Sequence, residues 1–205
     1  MKLGIVSDIH CNALGLSRAI ELMGDVDEIL CAGDSIYEFR FSDDVVDLIR
    51  QHRVRMVLGN HEAVALGTQG RRVVEKPEVK QDNVAWLRDQ PWQLETRVNG
   101  KRLLMAHGSP FEPWNEYIFP HTPSFKRLAE LETDYVILGH THQAMAERSG
   151  RVLVINPGST GEARDPRIGF QLSFAVLDTQ TDEVHIELFP DPQREARERA
   201  ANGYA

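Results

Sequence analysis

Five short apolar runs in this chain each end in side chains able to bind a metal ion, and that repetition limits the available folds more than any other feature. Ser7-Asp8-Ile9-His10 follows the run Lys2 to Val6, Gly33-Asp34 follows Glu28 to Ala32, and Gly59-Asn60-His61-Glu62 follows Arg55 to Leu58. His107-Gly108 follows Leu103 to Ala106, and Gly139-His140-Thr141-His142 follows Tyr135 to Leu138. Such runs are too short for stable helices and read as buried strands. In open α/β sheets the residues at the carboxyl ends of strands converge on one edge, where ligands bind. Clusters far apart in the chain can therefore meet.

Helix-period patterns lie between the first runs: Leu14 to Met23, then Val45 to Ile49 behind the capping candidates Ser42 and Asp43. Strand and helix thus alternate, as in an α/β protein with a parallel component. Asn83 to Arg88 reads as a further helix after Asp82. Asn99-Gly100 between Gln93 to Val98 and Lys101 to Ala106 is a strong two-residue hairpin signal, so antiparallel strands are mixed in. Val152 to Ile155 reads as another strand, Ser173 to Leu177 and Glu183 to Leu188 as a second hairpin, and Gln193 to Ala201 as a charged, solvated or frayed helix. No repeat or linker divides the chain, so one domain over 1–205 is expected.

Eight histidines occur, and five of them, His10, His61, His107, His140 and His142, fall inside the clusters. His52, His121 and His185 lie elsewhere and are assigned no role. Asp and His at i and i+2 on an extended segment point to the same side, so Asp8 with His10, and His140 with His142, can each converge on an ion. Carboxylate and amide oxygens mixed with imidazoles suit Mn, Fe or Zn better than calcium or thiolate-bound copper. Asp8, His10, Asp34, Asn60, His107, His140 and His142 are too many donors for one tetrahedral ion and suit two.

The order D-x-H, G-D, G-N-H-E, H-G, G-H-x-H, continued by Asn156-Pro157-Gly158-Ser159, resembles the calcineurin-like metallophosphoesterases. More narrowly it resembles the small, single-domain bacterial and archaeal phosphodiesterases of that superfamily. The resemblance implies a four-layer αββα sandwich, two packed mixed β-sheets flanked by helices with metals at one edge. It implies that Asp8, His10 and His142 hold one ion, Asn60, His107 and His140 a second, and that Asp34 and a hydroxide bridge them. Mn is the favoured ion, with Fe, Zn and Ni as alternatives. His61 resembles the family histidine that protonates the leaving alkoxide or stabilises charge on phosphorus, help typically worth about 10²–10⁴-fold. The implied reaction is in-line attack of the bridging hydroxide on a phosphate ester, a diester by preference. A phosphomonoesterase or protein phosphatase using the same site is the alternative, and a non-catalytic scaffold of the same fold is a weaker one.

Several residues keep two readings. Cys11 stands where the family usually has Gly, so the loop differs in backbone shape or places a thiol near the metals. Glu62 reads as structural or as orienting a ligand. Arg164 either clamps a phosphate or forms a surface ion pair. Tyr37, Phe39 and Phe41, and the segment Pro110 to Pro123 with Phe111, Trp114, Tyr117 and Phe119, are either walls for substrate or packing. Arg40, Arg71 and Arg72 are candidate phosphate contacts or solvated surface.

Composition limits the partners. With 23 Lys plus Arg against 31 Asp plus Glu, the formal charge is -8, and a chain-wide basic field for nucleic acid is absent. The expected partner is a small phosphate ester, a nucleotide among the options, and self-association stays open. A carboxylate at position 8 leaves no room for a signal-peptide apolar region. No stretch approaches the roughly 20 apolar residues of a membrane span. Two cysteines are too few for a disulfide framework. Together these three features point to the cytoplasm.

Overall fold

Near-continuous apolar runs along the central strands give each sheet two buried faces, and that requirement sets the layering. The computed structural model describes residues 1–201. From the N-terminus come β1 (Lys2–Val6), α1 (Ala13–Met23), β2 (Glu28–Cys31), α2 (Asp43–Gln51), β3 (Arg55–Met56) and α3 (Asn60–Leu66). Then come α4 (Arg71–Val74), α5 (Gln81–Arg88), β4 (Gln93–Val98), β5 (Lys101–Ala106), α6 (Pro123–Arg127) and β6 (Tyr135–Ile137). Last are β7 (Met145–Ser149), β8 (Val152–Asn156), β9 (Leu172–Asp178), β10 (Glu183–Phe189) and α7 (Pro192–Ala201).

One five-stranded sheet has the order β10-β9-β1-β2-β3 and the other β4-β5-β6-β8-β7. In the first, β1, β2 and β3 run parallel while β9 and β10 are antiparallel. In the second, β5, β6 and β8 run parallel between antiparallel edges β4 and β7. Leu3, Ile5 and Leu30 of the first sheet meet Leu103, Met105, Tyr135, Ile137, Leu153 and Ile155 of the second. On the outer faces, Val6 packs with Leu16, Ala19, Val45 and Ile49 of α1 and α2. Leu104, Val136 and Val154 pack with Phe125 and Leu128. The result is the expected sandwich of two mixed sheets flanked by helices. Among the described residues no helix is long and apolar enough to cross a membrane.

Local chemistry sets the element ends. The Asn12 side chain accepts from Gly15 N at 2.9 Å to start α1, and the Ser42 hydroxyl accepts from Val45 N at 3.3 Å to start α2. Asn99 and Gly100 turn the β4–β5 hairpin with φ of 48° and 80°, the left-handed conformations a primed turn needs. β7 escapes the apolar-run criterion because it is an edge strand with Glu147 and Arg148 exposed. β3 is two residues long, shorter than Arg55 to Leu58, because the chain leaves the sheet early to reach the site.

Leu103 sits between the sheets at 1% exposure. Leu103→Ala should lower stability by about 3 kcal/mol through lost burial and a residual cavity. Urea unfolding measures this as a lower midpoint at unchanged slope; a loss under about 1 kcal/mol would contradict the intersheet packing.

Candidate metal centre

The loops after β1 and β2, and those after β5 and β6, are bonded backbone to backbone within each sheet, and one side chain joins the two pairs. Asp8 N donates to Gly33 O at 3.0 Å, His10 N to Asp34 O at 3.0 Å, and Gly139 N to His107 O at 2.8 Å. His140 N donates to Asp8 Oδ2 at 3.0 Å and ties the second sheet to the first. Among the described residues ten non-glycine residues have positive φ, and Asp8, His10, Asp34, His140 and His142 are five of them. That conformation costs of order 1–3 kcal/mol each for most side chains and persists where the surroundings over-determine it, commonly at functional sites. Gly59 cannot carry a side chain, because a Cβ there would stand 2.2 Å from Asp34 Oδ1.

Two sets of donor atoms face inward. His10 Nε2 and His142 Nε2 lie 3.1 Å apart, and Asp8 Oδ1 is 3.3 Å from His142 Nε2 and 3.8 Å from His10 Nε2. Asp8 Oδ1 is buried with no hydrogen-bond partner among the described residues. Atoms each about 2.1 Å from a common ion would be roughly 3.0–3.4 Å apart, so this set fits a divalent ion. In the other set His107 Nε2 lies 3.1 Å from Asp34 Oδ2 and 3.0 Å from Asn60 Oδ1, and His140 can join Asp34 and His107 around one point. A third group, His10, Asp34 and His61, links the two.

Backbone carbonyls orient three of the rings. His107 Nδ1 contacts Ala32 O at 2.8 Å, His142 Nδ1 contacts Glu162 O at 3.1 Å, and His140 Nε2 contacts Asn115 O at 3.0 Å. In His107 and His142 this turns Nε2 toward the other donor atoms, which is how outer partners fix a metal-binding imidazole. Burial pushes His10 down to about 2, and burial with the charge on His107 pushes His140 down to about 4. Burial also disfavours a proton on His107, but the charge and hydrogen bond of Asp34 outweigh it and raise that ring to about 10. Asp34 is held below the usual carboxylate range because His107 overcomes its burial, whereas burial raises Asp8 despite His142.

The model for the calcineurin-like phosphoesterase superfamily domain matches residues 1–182. The chain belongs to this superfamily. It is 26% identical over 190 residues to phosphodiesterase YfcE of Escherichia coli, covering 87% of this chain and 88% of that protein. It is 27% identical over 168 residues to phosphodiesterase MJ0936 of Methanocaldococcus jannaschii, covering 77% of this chain and 83% of that protein. A metallophosphoesterase structure from Sphaerobacter thermophilus superposes with a TM-score of 0.78 at 23% identity, over 98% of this chain and 95% of that one.

Calcineurin-like phosphoesterases bind divalent metal ions, and in this member six of the seven sequence-derived donors group in the loops just described, while Asn60 joins them from the start of α3 through His107. His61 adjoins them: its N–H donates to Asp34 Oδ1 at 2.9 Å and its Nε2 lies 3.7 Å from Asp34 Oδ2. Glu62 takes the structural role. Fully buried, it accepts from Asp34 N at 3.0 Å, Ser35 N at 2.7 Å, Ser35 Oγ at 2.7 Å, Ile36 N at 3.1 Å and Gly59 N at 2.8 Å. It knits the Asp34 loop to the start of α3.

The structure gives contacts for several residues that kept two readings. Cys11 takes a left-handed φ of 62°, and its thiol donates to Arg40 O at 3.1 Å. It belongs to none of the donor groups found among the described residues. Arg164 pairs with Glu162 at 2.6 Å. Tyr37 stacks on His10 at 4.5 Å and Tyr117 on His140 at 3.9 Å, so one ring from each aromatic segment braces a donor. Phe41 packs on the core, Trp114 meets Trp92, and Arg71 pairs with Glu75. Sequence reading missed Glu162, whose carboxylate lies 3.6 Å from His10 Nε2, and Glu38, which pairs with His61. Neither falls at the end of an apolar run, so no spacing marks them.

Glu62→Gln turns an amide NH₂ toward buried N–H donors and leaves them without an acceptor. The expected cost is about 3 kcal/mol, measured as a lower urea midpoint; a change within about 0.5 kcal/mol would show that the five bonds are not what holds the loop.

Proposed function

We propose that this protein is a dimetal phosphodiesterase. The observation carrying the reading is that Asp34 groups with His107 and His140 on one side and with His10 and His61 on the other, beside the set of Asp8, His10 and His142. Asp8, His10 and His142 would hold one ion and Asn60, His107 and His140 the other, with Asp34 common to both and Mn the favoured metal. Two bound divalent ions supply Lewis-acid charge for phosphoryl oxygens and lower the pKa of water from about 15.7 toward 7. The chain's own residues do the rest. His61 is gripped at Nδ1 by Glu38, whose backbone N–H lies 3.2 Å away, so Nε2 is left facing the Asp34 side. From there it can give a proton to a leaving alkoxide or hydrogen-bond a phosphoryl oxygen. The stacked rings of Tyr37 and Tyr117 cover His10 and His140 and limit water there. Similarity to two relatives named as phosphodiesterases supports the diester preference. Two free, buried cysteines suit a reducing cytoplasm.

With Mn added, bis-p-nitrophenyl phosphate should be hydrolysed with a higher kcat/KM than p-nitrophenyl phosphate; a large monoester preference would overturn the diester reading. His61→Ala should keep both ions by elemental analysis yet lose at least about 10²-fold in kcat, while Asp34→Ala should lose metal. An Asp34→Ala variant that keeps two ions would rule out the shared-ligand arrangement.

Metal loading should also release protons. His107, raised to about 10 by Asp34, carries its proton at neutral pH, and an ion competing for the same atoms must expel it. Affinity should therefore rise with pH between about 6 and 9, with roughly one proton released per protein at pH 7. Titration calorimetry in buffers of different ionisation enthalpy reads that number, and a value near zero would contradict the His107 assignment.

A further inference from the structure

A cleft of about 590 Å³ opens beside His10, within the range of about 300–1,000 Å³ usual for small-molecule sites. One wall is the segment after Asp34, with Phe39 and Arg40; the other is the start of α7, with Arg194 and Arg197. That second wall lies outside residues 1–182, the part matched by the family model. It is also fixed in place. Asn12, buried two residues after His10, donates from Nδ2 to Asp191 Oδ1 at 3.0 Å and to Gly161 O at 3.0 Å. Asp191 Oδ1 in turn accepts from Gln193 N at 2.9 Å at the head of α7.

Charge in the cleft is unevenly committed. Of its three carboxylates, Glu38 lies against His61 and Glu162 against Arg164, while Asp191 accepts from the neutral Asn12 amide and Gln193 N. Arg194 pairs with Glu198 at 2.8 Å. Arg40 donates only to His10 O at 2.8 Å while lying over the Tyr37 ring, and Arg197 donates only to Gln193 Oε1 at 3.2 Å. Among the described residues neither guanidinium is paired with a carboxylate. Phe39 is 61% exposed and offers a flat apolar face beside them. Two uncommitted planar cations and an exposed ring, next to a centre that handles phosphate esters, match a ligand arm with a planar base and a further anionic group.

We propose that the cleft between Phe39–Arg40 and α7 binds the substrate arm beyond the scissile bond, and that this arm is a phosphorylated nucleoside, its terminal phosphate held by Arg40 and Arg197. The inference rests on the phosphodiesterase reading and names the substrate class of that site. It distinguishes this chain from a general diesterase, which needs only the phosphate between its two esters.

The test compares kcat/KM for the dinucleotide ApA with that for pApA and ApAp, which differ only by a terminal phosphate, using Mn-loaded wild type, Arg197→Ala and Arg40→Ala. The wild type should prefer one of the phosphorylated forms by about tenfold or more. In Arg197→Ala, a change at an exposed position, that ratio should fall toward one, and Arg40→Ala should lower it as well. No preference in the wild type, or a preference that survives in both variants, would overturn the cleft assignment. Bis-p-nitrophenyl phosphate separates the two readings. If it is cleaved while no dinucleotide is, only the nucleotide arm is wrong; if neither is cleaved, the phosphodiesterase reading falls and the cleft assignment with it.

Discussion

Two carboxylates, Asp8 and Asp34, lie almost wholly buried where the two sheets meet, and the rest of the site is organised around holding that negative charge away from water. A buried carboxylate without compensation costs several kcal/mol. The compensation comes from four imidazoles, from the backbone N–H groups of His61 and His140, and from the cations such a donor set attracts. Glu62 adds a third buried carboxylate, but one whose oxygens are saturated by donors from Asp34, Ser35, Ile36 and Gly59. The contrast separates roles. A carboxylate with every lone pair occupied is a structural knot, whereas Asp8 Oδ1, with none, is available to a ligand.

The same division runs through the aromatic residues. Tyr37 and Tyr117 are spent on imidazoles that carry donor atoms, so the loops after β2 and β5 do mechanical work at the centre as well as framing it. Asn115 shows the coupling most directly, since its carbonyl fixes His140 from a loop with no regular structure of its own. Changes in that loop reach the metal-binding rings without any change in the rings themselves.

Much of this was legible in the chain. Apolar runs ending in Asp, Asn and His identified five strands and their common edge, because burial of a strand and exposure of its end to a ligand leave a sharp boundary in polarity. The Asn99-Gly100 turn was readable because only a few residues accept its conformation. β7 was not, since an edge strand faces water and needs no apolar signature. Glu38, Glu162 and Asp191 were not, since they reach the site through tertiary placement of loops. The left-handed conformation of Asp8, His10, His140 and His142 corrects the expectation that these pairs converge on extended segments: the donors come together through tight left-handed loops, which residue spacing does not reveal.

The N-terminal strand β1 is central in its sheet and pairs on one side with β9, Leu3 lying opposite Leu177. Vectorial synthesis therefore presents Asp8 and His10 well before the segments that support them. Until β9 has emerged and joined β1, and Asp191 has reached Asn12, the early donors sit on an unfinished sheet. Assembly of the centre is thus tied to pairing between segments at opposite ends of the fold's chain order rather than to the local sequence around the donors.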